Sequence, residues 1–94
     1  MKKFKISIIT VTKNSEKFIK ENIKSVLSQS FKNFEHIIVD GNSTDKTLKI
    51  VKSFNNKIRI IQNRNDKGLY HAMNLGIKHA KGDIIGILNS DDIY

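Results

Sequence analysis

Ile6-Ser7-Ile8-Ile9-Thr10-Val11 is an uncharged run rich in β-branched residues, and its reading decides the fold class. Apolar side chains stand at neighbouring positions, so the segment reads as a strand covered on both faces. Outward from it, Lys17 to Gln29 carries Ile19, Ile23, Val26 and Leu27 at helical spacing, with Ser15 or the adjacent Asn14 as its cap. His36-Ile37-Ile38-Val39 is a second strand ending at Asp40. Asp45 to Phe54 is a second helix, striped by Leu48, Val51 and Phe54 and capped by Ser43 or Thr44. Ile58-Arg59-Ile60-Ile61 is a third strand. Leu69 to Ala80 is a third helix with Leu69, Met73, Ile77 and Ala80 on one side and Gly82 as its C-cap glycine. Ile84 to Leu88 is a fourth strand, and Asn89-Ser90-Asp91-Asp92 follows it.

The order β-α-β-α-β-α-β predicts an α/β protein, a Rossmann-like three-layer sandwich with a mostly parallel sheet. At 94 residues the chain is one domain at most, with no repeat, linker or low-complexity segment. A 38% hydrophobic and 28% charged composition reads as globular, and the absence of cysteine excludes disulfides and thiolate metal sites. No apolar run approaches the roughly 20 residues of a membrane helix. Met1 to Lys5 starts like a signal peptide, but the apolar run after it is short and soon meets Lys13 and Asn14, which leaves the cytoplasm as the expected location. The net charge of +8 favours anionic partners (nucleic acid, phosphate-bearing small molecules or an acidic membrane surface), with a merely solubilising lysine surface as the plain alternative.

In an open α/β sheet, ligands bind beyond the carboxyl ends of the strands. That rule predicts one functional rim: Thr12-Lys13-Asn14, Asp40 to Asp45, Gln62 to Lys67, and Asn89 to Asp92. Five of the nine acidic residues (Asp40, Asp45, Asp66, Asp91 and Asp92) fall on it. Clustered carboxylates repel, and a hard divalent cation relieves them. Asp91-Asp92, with Asn89 and Ser90 as neutral oxygen donors, suits Mg²⁺ or Mn²⁺ shared with a diphosphate; an ordinary helix start reads the same way. Asp40 suits acceptance of a hydrogen bond from an imide N–H or a ribose hydroxyl, or else an Asx-type turn. Asp45 fits the first turn of its helix by charge alone. Lys67 and Arg64 suit phosphate oxygens, or a charged turn. His36, His71 and His79 read as surface or packing residues. The glycine signatures of a P-loop and of a dinucleotide site are missing.

Together these segments resemble family 2 glycosyltransferases across the whole chain. Ser7 to Asn14 is similar to that family's first strand, Ser25 to Glu35 to its helix-to-strand turn, and Val39-Asp40-Gly41-Asn42-Ser43-Thr44-Asp45-Lys46-Thr47 to its second-strand motif. Gly82 to Asp92 is similar to its DXD region, and Asp66 to Asn74 to a branch found in bacterial surface-polysaccharide synthesis. The resemblance implies a GT-A fold that binds a nucleotide-diphosphate sugar, often a UDP-sugar. It implies Thr12 and Asn14 near the nucleotide, Asp40 accepting from the base, Asp45 supporting the pocket, and Lys67 and Asn89 as further donor contacts. Asp91, with Asp92 beside it, would hold Mn²⁺ or Mg²⁺. The reaction implied is inverting transfer to a saccharide or lipid-linked acceptor, at most peripheral to the inner membrane face. Four positions depart from the pattern: Val11 replaces a common proline, Lys13 a common aromatic, Asn89 the first acid of DXD, and His71 stands where the branch often has Asp. No residue present is a convincing base, so the expectation is a donor-binding fragment, residues 1–94, whose base carboxylate comes beyond Tyr94 and whose uncovered sheet self-associates. Two other classes compete: a non-enzymatic basic module for nucleic acid or a protein partner, which the scarcity of aromatics disfavours, and a receiver- or phosphatase-type domain with acids at its strand ends. No nucleic acid partner is expected.

Overall fold

The computed structural model describes residues 4–29, 33–54, 57–63 and 68–89. Its elements are β1 (Ile6–Thr12), α1 (Ile19–Leu27), β2 (Phe34–Asp40), α2 (Thr47–Lys52), β3 (Arg59–Gln62), α3 (Leu69–His79) and β4 (Ile84–Ile87). The element order expected from periodicity is the one observed. The four strands form one sheet in the order β3-β2-β1-β4, and every pairing is parallel.

Residues of β1 and β2 alternate between two helical layers. Ile9, Ile37 and Val39 pack with Ala72 of α3, whereas Ile38 packs with Ile19 and Ile23 of α1 and Val51 of α2. A third cluster joins Ile8, Val26 and Leu88. Strands buried on both faces explain why the runs lack alternation. The three-layer α/β sandwich is therefore present.

Local details differ from expectation where the chain solved a close-packing problem differently. On α3 the buried seam is Ala72 and Gly76, with Leu75 and Ala80 beside it, while Leu69 and Ile77 are exposed. Small residues let the helix lie close on β1: a Cβ at Gly76 would meet Ile9 Cγ2 at 2.5 Å. Gly82 is not the cap of α3, because Ala80 holds that position in an extended conformation. A Cβ at Gly82 would instead strike Ser7 Oγ and the Lys5 carbonyl, and its N–H donates to Ser7 Oγ at 2.8 Å.

The expected caps also move. Phe18 is the N-cap of α1 and Lys46 that of α2, and neither helix has a side-chain cap there. The carbonyl of Ser15 accepts the N–H groups of Phe18 and Ile19, both at 2.9 Å. Asn14 serves α2's approach rather than α1, through bonds described below. At the amino edge, Ser7 Oγ and the Lys81 N–H both donate to Glu35 Oε2 at 2.6 Å. Partial burial works to raise the Glu35 pKa, but these bonds outweigh it and hold the carboxyl below its usual range. That edge is a structural clasp.

β4 is an edge strand left open. Ile84, Ile85 and Ile87 are 50%, 42% and 44% exposed. Ile85 and Ile87 stand level with Ser7 and Ile9 of β1, on the α3 side, but α3 lies over β1 and β2.

Candidate functional site

All strands being parallel, their carboxyl ends share one edge. Thr12 stands level with Asp40, and Asp40 with Gln62. The order β3-β2-β1-β4 reverses direction between β1 and β4, and a crevice at such a reversal is where open α/β sheets bind ligands. Thr12 closes one side of that switch point. Asn89, exposed just after β4, closes the other.

Two loops are laced together on this edge. Asn14, in the left-handed region at φ 51, accepts the N–H of Thr44 at 2.8 Å and of Asp45 at 3.3 Å on Oδ1. Its own N–H donates to Ser43 Oγ at 2.9 Å. Asp45 Oδ2 accepts from the Glu16 N–H and Oδ1 from the Thr47 N–H. Desolvation works to raise the Asp45 pKa, yet bonds from the Thr47 hydroxyl and amide and the Glu16 amide outweigh it and lower the value. Thr47 Oγ1 in turn accepts the Ser15 N–H at 2.7 Å. Asp45 is thus a loop-fixing carboxylate placed just before α2.

Asp40 is only 1% exposed. Ser43 donates to both of its oxygens, Oγ to Oδ1 at 2.6 Å and N–H to Oδ2 at 3.0 Å. Asp40 thus holds the loop through the backbone three residues on, a wider closure than the Asx-type turn over Asp40-Gly41-Asn42 expected from the sequence. Each oxygen keeps a second lone-pair direction for a ligand donor. The backbone binds the strand ends tightly: the Gly41 N–H donates to the Thr12 carbonyl at 2.8 Å and the Asn63 N–H to the Asp40 carbonyl at 2.7 Å.

Two buried groups on this edge are unsatisfied. Thr12 Oγ1 and Asn63 Nδ2 are buried and lack any hydrogen-bond partner among the described residues. Orphaned polar atoms are costly, so each calls for a partner such as water, an ion or a ligand. Asn63 was legible in the sequence only as part of the rim after β3; its burial was not. A cleft of about 370 Å³ opens beside Thr12, lined also by Val11, Lys13, Gly41, Gly68 and Leu69. Gly68 holds φ 100 in front of α3, a conformation that other residues rarely adopt. A second groove of about 310 Å³, between α1 and α2, is lined by Lys20, Lys46, Lys49, Ile50, Ser53 and Phe54 and reaches no strand end.

Thr12, Asn14, Asp40, Asp45 and Asn89 are thus brought to one edge. Lys67, Asp91 and Asp92 lie outside the described residues, as do Arg64, Asp66 and Ser90. Among the described residues no group of three or more His, Asp or Glu could hold a metal. The donors expected for one, Asp91 and Asp92 with Asn89, are all oxygens, which suits Mg²⁺ or Mn²⁺.

Residues 7–94 match the family described as glycosyl transferase family 2. The chain belongs to that family. It is 41% identical over 93 residues to the putative glycosyltransferase EpsE of Bacillus subtilis (strain 168), covering 95% of this chain and 34% of that protein. It is 36% identical over 95 residues to WfgD of Escherichia coli, a UDP-Glc:alpha-D-GlcNAc-diphosphoundecaprenol beta-1,3-glucosyltransferase, covering 100% of this chain and 38% of WfgD. The crystal structure of S. aureus TarS 1-349 in complex with UDP-GlcNAc superposes with a TM-score of 0.89 at 37% identity, over 95% of this chain and 27% of that one. This family 2 chain spans about a third of the length of the curated relatives it matches. Among its described residues no helix is long and apolar enough to cross a membrane.

Proposed function

We propose that this family 2 chain is the donor-binding half of a glycosyltransferase that passes a sugar from a UDP-sugar to an acceptor hydroxyl in bacterial surface-polysaccharide synthesis. The observation that carries the reading is the edge itself, where buried Asp40 stands level with Thr12, whose hydroxyl is unsatisfied among the described residues and which lines an open cleft. A carboxylate acceptor beside a free hydroxyl suits a uracil imide, which offers one N–H next to carbonyl oxygens. The UDP-GlcNAc carried by the TarS structure and the UDP-Glc in WfgD's name support the nucleotide.

In this reading Asp40 accepts from the base, Thr12 and Asn14 frame the nucleoside, and Asp45 keeps the two loops in register. Lys67 meets phosphate oxygens as a point charge. Asn89 contacts ribose, and Asp91 and Asp92 would hold Mn²⁺ or Mg²⁺, which would supply charge stabilisation to the departing diphosphate. The acceptor oxygen attacks the anomeric carbon from the face opposite the diphosphate, the bond from that carbon to the diphosphate oxygen breaks, and configuration inverts. A carboxylate beyond Tyr94 takes the acceptor's proton. The 94-residue chain by itself binds donor without turnover. The acceptor is a saccharide or a lipid-linked sugar, in line with WfgD's name, and the chain works at the cytoplasmic membrane face without spanning it. Ile85 and Ile87 make the open face of β4 a site of self-association.

Calorimetric titration of UDP into the chain, with and without Mn²⁺, tests the reading. Saturable UDP binding that Mn²⁺ strengthens and Asp40→Asn weakens is expected; a folded sample that binds no UDP would overturn it.

A further inference from the structure

Below the same edge, on the α1 side of the sheet, three uncharged polar side chains are buried in the apolar core: Thr10 of β1, Asn22 of α1 and His36 of β2. Polar groups are costly there, and an apolar trio would pack the seam without that cost. They are joined in one line. Thr10 Oγ1 lies 2.8 Å from His36 Nε2 and donates to Asn22 Oδ1 across a long 3.4 Å, and Asn22 Nδ2 donates to the carbonyl of Asn89 at 2.9 Å.

The line has a direction. The carbonyl of Asn89 can only accept, so the NH₂ end of the Asn22 amide must face it and Oδ1 must face Thr10. A hydroxyl has one proton, which Thr10 spends on Asn22. Thr10 Oγ1 then accepts from His36, so Nε2 carries a proton. The remaining ring nitrogen, Nδ1, is buried with no partner among the described residues, which suits a bare lone pair better than an unmet N–H. Every donor therefore points from the core toward Asn89, the residue that leads into Ser90-Asp91-Asp92.

We propose that Asn22 is a positioning residue for the donor site, fixing the carbonyl of Asn89 and with it the start of the acidic segment, and that Thr10 and His36 orient Asn22. The inference rests on the donor-binding reading for its purpose, but the tether itself is a separate claim. Asn22 and Asn89 are 67 residues apart, so no local preference places them together.

The test is amide hydrogen exchange by NMR on the full 94-residue chain, alongside the UDP titration. In Asn22→Leu, which keeps the volume and removes the bonds to Thr10 and to the Asn89 carbonyl, exchange at Leu88 and Asn89 is expected to rise about fivefold to tenfold, the size of one lost hydrogen bond. Amides of Ile37 to Val39 are expected to keep the parent rate. UDP affinity is expected to fall with and without Mn²⁺, and the gain that Mn²⁺ brings to fall by a similar factor. Unchanged exchange at Leu88 and Asn89, or a rise shared equally by β1 and β2, overturns the proposal. Should Asn22→Leu not fold, Thr10→Val against Thr10→Ser decides: faster exchange at Leu88 and Asn89 only when the hydroxyl is lost supports the tether, and equal behaviour of the pair overturns it. A parent chain that binds no UDP defeats the donor-site reading, and the exchange rates still decide the tether.

Discussion

Asn14 accepts the backbone N–H of Thr44 at 2.8 Å, and this bond joins the loop after β1 to the loop after β2. Asn14 does so from φ 51, where a short side chain that hydrogen-bonds locally is tolerated. Asn14→Ala is expected to cost about 2 kcal/mol, part from the lost acceptor and part from the left-handed backbone. Asn14→Gly keeps the conformation and recovers about half of that. Thermal unfolding of the two variants measures the split, and an alanine variant as stable as the glycine variant would refute the backbone share.

Thr12→Val separates binding from folding. The hydroxyl of Thr12 is buried with no partner among the described residues, so a methyl in its place removes an unmet polar group. Stability is expected to rise by about 1 kcal/mol, which moves the midpoint up several degrees in a domain of this size. UDP affinity is expected to fall about fivefold or more, the worth of one hydrogen bond. A variant that is both less stable and equally tight for UDP would show that Thr12 is a packing residue only.

His36 gives the fold a pH dependence. Burial lowers its pKa from 6.5 to about 4. Below pH 6.5 the unfolded chain takes up a proton that the folded chain refuses, so stability falls as pH drops from 6.5 toward 4 and levels off below that. The full loss is about 3 kcal/mol. Glu35 and Asp45, whose values are also lowered, add their own losses only below about pH 4.5. Denaturant midpoints between pH 7 and 5 should therefore decline in the parent and stay flat in His36→Gln.

Gly76 tests how closely α3 sits on β1. Alanine favours a helix over glycine by about 1 kcal/mol. Here, however, its Cβ would lie 2.5 Å from Ile9 Cγ2, in a fully buried position. Gly76→Ala is expected to destabilise by about 1–3 kcal/mol net. Adding Ile9→Ala should cost less than it does alone, a favourable coupling that a double-mutant cycle measures.

The open strand predicts an assembly behaviour. Sedimentation velocity of the parent is expected to show association rising with concentration, and Ile85→Lys, which puts a charge on the exposed face of an edge strand, is expected to hold the monomer. A parent that stays monomeric at every concentration would dismiss the apolar face as a contact.

Much of this protein was legible as sequence. Ile6 to Val11 and His36 to Val39 lack alternation because both faces are buried, so a parallel sheet between helices followed directly, and with it the gathering of Thr12, Asp40 and Asn89 on one edge. Strand and helix patterns are local, and the carboxyl ends of parallel strands coincide whatever their order. Only the tertiary structure decided the order β3-β2-β1-β4, which puts the switch point between Thr12 and Asn89. It also decided that α3 seats Ala72 and Gly76 instead of Leu69 and Ile77, because van der Waals contact with Ile9 favours small side chains over large apolar ones at that distance. The partners of Asn14, Asn22 and His36 belong to the same class: each bond joins residues distant in the chain, and burial, which the linear sequence does not display, sets both their protonation and their direction.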